Sequence, residues 1–168
     1  MKTIALLRAV NVGGTGKLPM ADLKAIAEEL GFQNVRTYIA SGNLLFDTGL
    51  DEATVKSKLE KRLEDYAGKP LGVMVRTAEE MAQAVSGNPF ASESGNRVVA
   101  IFLDQAPPKS ALTEHKGLND ERIALGSREI YVHYPSGQGT SRLLIPAAKA
   151  GTARNMNTVA KLAELAGG

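Results

Sequence analysis

Between Ile4 and Arg76 the hydrophobic period switches between about two and about 3.6 residues in a fixed order, and that order limits the fold more than any motif does. Ile4–Leu7 is a short apolar run and reads as a buried strand. Pro19 opens a helix with Met20, Leu23, Ala27 and Leu30 on one face and Gly31 as its stop. Val35, Thr37 and Ile39 alternate with Arg36, Tyr38 and Ala40, the pattern of a strand with one face buried. Ser41-Gly42-Asn43 turns the chain into a strand at Leu44–Phe46. Asp51 caps a second helix, whose stripe is Val55, Leu59, Leu63 and Tyr66 and whose end is Gly68. Gly72–Arg76 is a fourth strand. The order βαββαβ is that of a ferredoxin-like unit.

The second half repeats the pattern less clearly. Thr77 and Glu80 form a capping box for a helix through Val85, closed by Gly87. The loop Asn88–Asn96 marks a seam. Val98–Leu103 is continuously apolar, as a central strand is. A short helix is expected near Ser110–His115, and a hairpin turn at Gly126-Ser127. A helical turn falls within Arg142–Lys149, and a last helix covers about Asn155–Ala166. This half reads βαββα with no clear final strand. The expected class is α+β: a ferredoxin-like βαββαβ unit followed by a βαββα unit. The alternative is one mixed sheet with its helices on one face. Residues 1–168 are expected as one domain, with subdomains 1–76 and 77–168.

Composition excludes several chemistries. The 168 residues include no Cys, so disulfides, thiolate nucleophiles, Cys-ligated zinc and iron–sulfur clusters are ruled out. A net charge of +2 is a weak argument for nucleic acid. The apolar runs are too short to span a bilayer, and Arg8 interrupts the N-terminal one before a signal core is complete. That points to the cytoplasm. His115 and His133 lie in no metal-ligand spacing, and no triad includes them. Tyr38, Phe46 and Tyr131 stand outside any RNA-stacking motif.

Charge distribution supplies the candidate site. No Asp or Glu occurs before Asp22, and none between Glu129 and Glu164. Within the first of these acid-free stretches, Arg8–Lys17 offers Arg8, Asn11, Gly13, Gly14 and Lys17 between a strand and a helix. It is not a P-loop: Asn11 stands where that motif needs Gly, and Leu18 where it needs Ser or Thr. Within the second, Thr152-Ala153-Arg154-Asn155 reads as a helix start with Thr152 or Asn155 as cap. Arg154 there opposes the helix dipole, a local misfit that marks it as a candidate. Flexible backbone with unopposed cations suits an anion. The two segments are expected to frame one site for a small anionic or phosphate-bearing ligand, with Lys17 and Arg154 exposed. The alternatives are a protein-interaction module and, third, nucleic-acid binding.

Ile4-Ala5-Leu6-Leu7-Arg8-Ala9-Val10-Asn11-Val12-Gly13-Gly14 resembles the opening of the bacterial family called domain of unknown function 1697. Pro19–Leu23, Val35–Asn43 and Thr152–Val159 are similar to further motifs of that family. Ala9 stands where the family usually has Gly, and Met156 where it often has Trp. The resemblance implies a soluble bacterial α/β-type domain. It implies no activity and names no cofactor.

Overall fold

The structure is a computed structural model that describes residues 1–8 and 18–167. The chain divides into two compact units, Met1–Met81 with Leu162–Gly168, and Ala82–Lys161.

The first unit runs β1 (Lys2–Leu7), α1 (Met20–Glu29), β2 (Gln33–Thr37), β3 (Asn43–Asp47), α2 (Glu52–Ala67) and β4 (Val73–Thr77). Its sheet is fully antiparallel in the order β2-β3-β1-β4, the ferredoxin-like arrangement. β1 is central, with Ala5 opposite both Leu44 and Val75. Alternate residues Ala5, Leu7, Leu44, Phe46, Val73 and Val75 form the face that α1 and α2 cover. The helices supply Leu23, Ile26 and Ala27, then Val55, Leu59 and Leu63. Each fully buried Val, Leu or Ile side chain contributes roughly 1.5–3 kcal/mol. Phe32 stacks on Phe46 with ring centroids 4.2 Å apart. The Asp51 carboxylate accepts from the Thr54 amide at 2.9 Å and caps α2. Tyr66, expected in the apolar stripe, is exposed instead, and its hydroxyl donates to Asp22 at 2.5 Å.

The chain continues with α3 (Ala78–Ser86), β5 (Val98–Phe102), β6 (Arg122–Leu125), β7 (Glu129–His133), β8 (Thr152–Asn155) and α4 (Met156–Gly167). The Thr77–Glu80 capping box forms as expected, with bonds of 2.9 and 3.1 Å. The second sheet is antiparallel in the order β6-β7-β5-β8. Numbered within its own sheet, that is again second-third-first-fourth. A final strand therefore exists where the sequence suggests none. β8 pairs with β5 from Val99↔Asn155 to Phe102↔Thr152, and its inward residues are Thr152 and Arg154. Polar inward positions hide a strand from a hydrophobic-period reading.

The layer over this sheet differs from that in the first unit. The helix expected at Ser110–His115 is a single 3-10 turn at Lys109–Leu112, and another 3-10 turn spans Pro146–Ala148. These turns and their flanking loops cover Val99, Ile101, Leu103, Ile130, Val132 and Tyr134. The hairpin turn is displaced by one residue: Leu125 faces Ile130, and the Gly126 amide donates to the Glu129 carbonyl, leaving Ser127-Arg128 at the tip. β7 is buried on both faces. Alternation along the strand, with Ile130 and Val132 inward, predicts Glu129, Tyr131 and His133 to point outward, yet all three are enclosed. The His133 ring nitrogen Nδ1 lies 3.0 Å from Arg122 Nη2, which also bonds Glu93 at 3.1 Å, and the Arg122 guanidinium carbon sits over the Phe90 ring.

Tyr131 is 1% exposed, and its hydroxyl donates to the Ala84 carbonyl at 2.6 Å. Burial first, then the Glu129 charge, pushes its pKa up to about 12. The folded state therefore keeps a proton that the unfolded chain releases near pH 10. Stability conferred by this group is full below pH 10 and falls as pH rises through 12. The loss by pH 11 is about 1.4 kcal/mol. Urea unfolding of the protein and of Tyr131→Phe at pH 9 and pH 11 should show a drop larger by about 1.4 kcal/mol in the former, since Tyr134, whose pKa is also raised, titrates in both.

Candidate anion site at the end of the first strand

β1 delivers Arg8 to a defined place in the first unit. The Leu7 amide donates to the Gly42 carbonyl and the Arg8 amide to the Gly72 carbonyl, each at 2.9 Å. Arg8 is thereby held between the turn that leads into β3 and the chain that enters β4. A Cβ at Gly72 would lie 2.9 Å from Arg8 Cδ, so the half-buried arginine stem rests on bare backbone. The entry to β4 is fixed from the other side. The Val73 amide donates to Glu60 at 2.9 Å, and Lys56 donates to the Val73 carbonyl at 2.5 Å. Lys56 and Glu60 are themselves paired at 2.8 Å on α2. The mixed-charge face of α2 thus clamps an edge strand as well as meeting solvent.

The β2–β3 turn is built around Asn43, which is fully buried. Its amide nitrogen donates to the Tyr38 carbonyl at 2.8 Å and to the Ser41 hydroxyl at 3.0 Å. Ile39, expected on the buried face of β2, lies beyond the strand, is 48% exposed and has φ +52°. A β-branched residue in the left-handed region is strained, and such strain persists only where neighbours over-determine it. Here the Asn43 bonds and the Tyr38 amide, which donates to the Asn43 carbonyl at 3.1 Å, close the turn around it.

Of the residues nominated from the sequence, Arg8 sits at this strand end. Asn11, Gly13, Gly14 and Lys17 lie outside the described residues, as does the expected approach of their loop to Thr152–Asn155. In the second unit, Thr152, Arg154 and Asn155 belong to β8, not to a helix N-terminus. Asn155 alone caps α4, accepting from the Thr158 amide at 2.9 Å. Arg154, expected to be exposed, is 7% exposed. Its Nη1 donates to Thr152 Oγ1 at 2.7 Å and to the Ala153 carbonyl at 2.9 Å. Desolvation lowers its pKa to about 10, so it stays cationic at neutral pH. Strand alternation turns it inward, which a helical reading of the segment misses. Sequence reasoning places Asn43 in its turn but passes over Gly72 and the Lys56–Glu60 pair, because their roles rest on contacts with Arg8 and Val73 far apart in the chain. Among the described residues, no group of three His, Cys, Asp or Glu side chains could hold a metal ion. No described helix is long and apolar enough to cross a membrane.

Two antiparallel four-stranded sheets with a shared strand order define an α+β protein of ferredoxin-like topology. The chain belongs to the family described as "Protein of unknown function (DUF1697)", which matches residues 1–131. It is similar in fold to a conserved bacterial protein, SP0830 from Streptococcus pneumoniae. The two are 24% identical, with a TM-score of 0.79 over 98% of this chain and 97% of that one. No curated protein matches the chain.

Two substitutions check these assignments. Arg154→Ala should cost roughly 1–3 kcal/mol of unfolding free energy, the usual worth of lost charged hydrogen bonds, in a chemical-denaturation experiment. Ile39→Asn should raise stability by roughly 1 kcal/mol in the same assay, since Asn accepts the left-handed backbone that Ile resists.

Proposed function

We propose that this protein binds a small anionic or phosphate-bearing ligand at the end of β1. The observation that carries the reading is the seating of Arg8 on the bare backbone of Gly72, where β1 gives way to the acid-free, glycine-rich segment ending in Lys17. A cation on a fixed strand end, followed by a segment with many glycine amides, suits phosphate oxygens better than an extended apolar substrate. Asn11, Gly13, Gly14 and Lys17 belong to the same site in this reading. The β8 residues are given a different part. Arg154 and Thr152 brace the second sheet from within, and Asn155 starts α4.

The test is a thermal-shift screen against nucleotides, sugar phosphates and inorganic phosphate, followed by titration of each stabilising compound. Saturable stabilisation is expected. Arg8→Ala and Lys17→Ala should each weaken binding by roughly 1–3 kcal/mol while leaving the fold intact. Gly72→Ala should weaken it too, by displacing the arginine stem. A double Arg8→Ala/Lys17→Ala variant that binds every identified compound normally would overturn the reading. Affinity that falls steeply with salt and extends to any oligonucleotide would favour nucleic acid instead.

A further inference from the structure

The second unit contains a cavity of about 590 Å³, and its origin lies in the fold. In the first unit two α-helices cover the sheet face. In the second unit the equivalent connections are loops with 3-10 turns at Lys109–Leu112 and Pro146–Ala148. Such short turns cover the face but leave a gap between the loops and part of the sheet. Ile101 and Tyr134 line the gap from the sheet, and Leu143, Ile145 and Ala148 line it from the loop. The volume falls in the range of about 300–1,000 Å³ usual for small-molecule sites.

The wall of this cavity is fixed. Lys116 and Leu144 exchange backbone hydrogen bonds at 2.9 and 2.8 Å. Beside them Gly117 has φ +76°, and a Cβ there would meet the Arg142 carbonyl oxygen at 2.1 Å. Only glycine permits so close a crossing. Glu121 accepts from the Ser141 hydroxyl and from the Asn119 amide, and these bonds hold its carboxyl below the usual range. The Leu143 amide in turn donates to the Ser141 hydroxyl at 3.1 Å. The loop that forms the wall is therefore anchored at both ends without a helix.

The lining combines two chemistries. Its body is aliphatic, with Leu144 at the mouth 65% exposed. Lys116 and Lys149 are the charged lining residues, and both are cationic. Tyr134 also lines the cavity, and burial, then the Glu121 charge, raises the pKa of its phenol. An apolar body with a cationic rim complements one kind of small molecule. We infer that the 590 Å³ cavity of the second unit binds an amphipathic carboxylate, with an acyl or aryl body against Ile101, Leu143 and Ile145 and its carboxylate toward Lys116 and Lys149. This site stands on observations separate from those at Arg8.

Decanoate titrated into the full chain, followed by calorimetry and by backbone and methyl resonances, tests the assignment. Saturable binding is expected, with the largest shifts at Ile101, Leu143, Leu144 and Ile145. Decanol should bind about tenfold more weakly, and acetate not at all. Lys116→Ala/Lys149→Ala should lose about tenfold in decanoate affinity, as two exposed ion pairs together are worth. Lys58→Ala, at an exposed position of α2 in the first unit, should leave decanoate binding unchanged. Ala148→Trp should fill the cavity and abolish binding; if that variant does not fold, the resonance map of the native chain decides alone. Equal affinity for decanol, an unaffected double-lysine variant, or shifts centred elsewhere would overturn the proposal. So would concentration-dependent pairing of two chains through Leu144 with no decanoate binding.

Discussion

Everything in the first unit depends on β1 lying between β3 and β4. That insertion gives Ile4, Ala5, Leu6 and Leu7 hydrogen-bond partners on both edges and removes all four side chains from water. A strand buried on both faces tolerates few polar residues, so the change to Arg8 ends it. The end of β1 is then fixed by backbone bonds to Gly42 and Gly72, both distant in sequence. The placement of Arg8, on which the anion-binding reading rests, follows from strand order.

The second unit shows the same strand order with a different cover. Equal topology does not imply equal packing, because the covering layer is set by the connections and not by the sheet. α1 and α2 carry regular apolar faces and seal their sheet. The loops of the second unit carry Pro107, Pro108, Gly117, Gly137, Gly139 and Pro146, which oppose long helices. Their packing relies on individual anchors, Glu121 with Ser141 and Lys116 with Leu144. A cavity beside the sheet is the physical result.

Burial of polar groups is the other recurring feature. Asn43, Arg154 and His133 are all enclosed, and each has hydrogen-bonding groups nearby. Desolvating such groups is costly unless those bonds are made, so they specify one arrangement rather than simply adding stability. Asn43 fixes the turn that strains Ile39. Arg154 fixes the inward face of β8.

The sequence by itself determined the elements whose signals are local. Period two or 3.6, the Asp51 cap, the Thr77–Glu80 box and the glycine stops are written within a few residues of where they act. The ferredoxin-like order of the first unit and its apolar faces followed from these. β8 was not legible, because Thr152 and Arg154 face inward and carry no apolar signal. The burial of Tyr131 and His133 was not legible either, since alternation along β7 gives no sign that both faces are covered. Only the tertiary structure decided that Arg8 rests on Gly72, that Lys56 and Glu60 clamp Val73, and that Lys116 and Lys149 share one cavity. Those are contacts between residues distant in sequence, and they exist only once strand pairing has brought their backbones together.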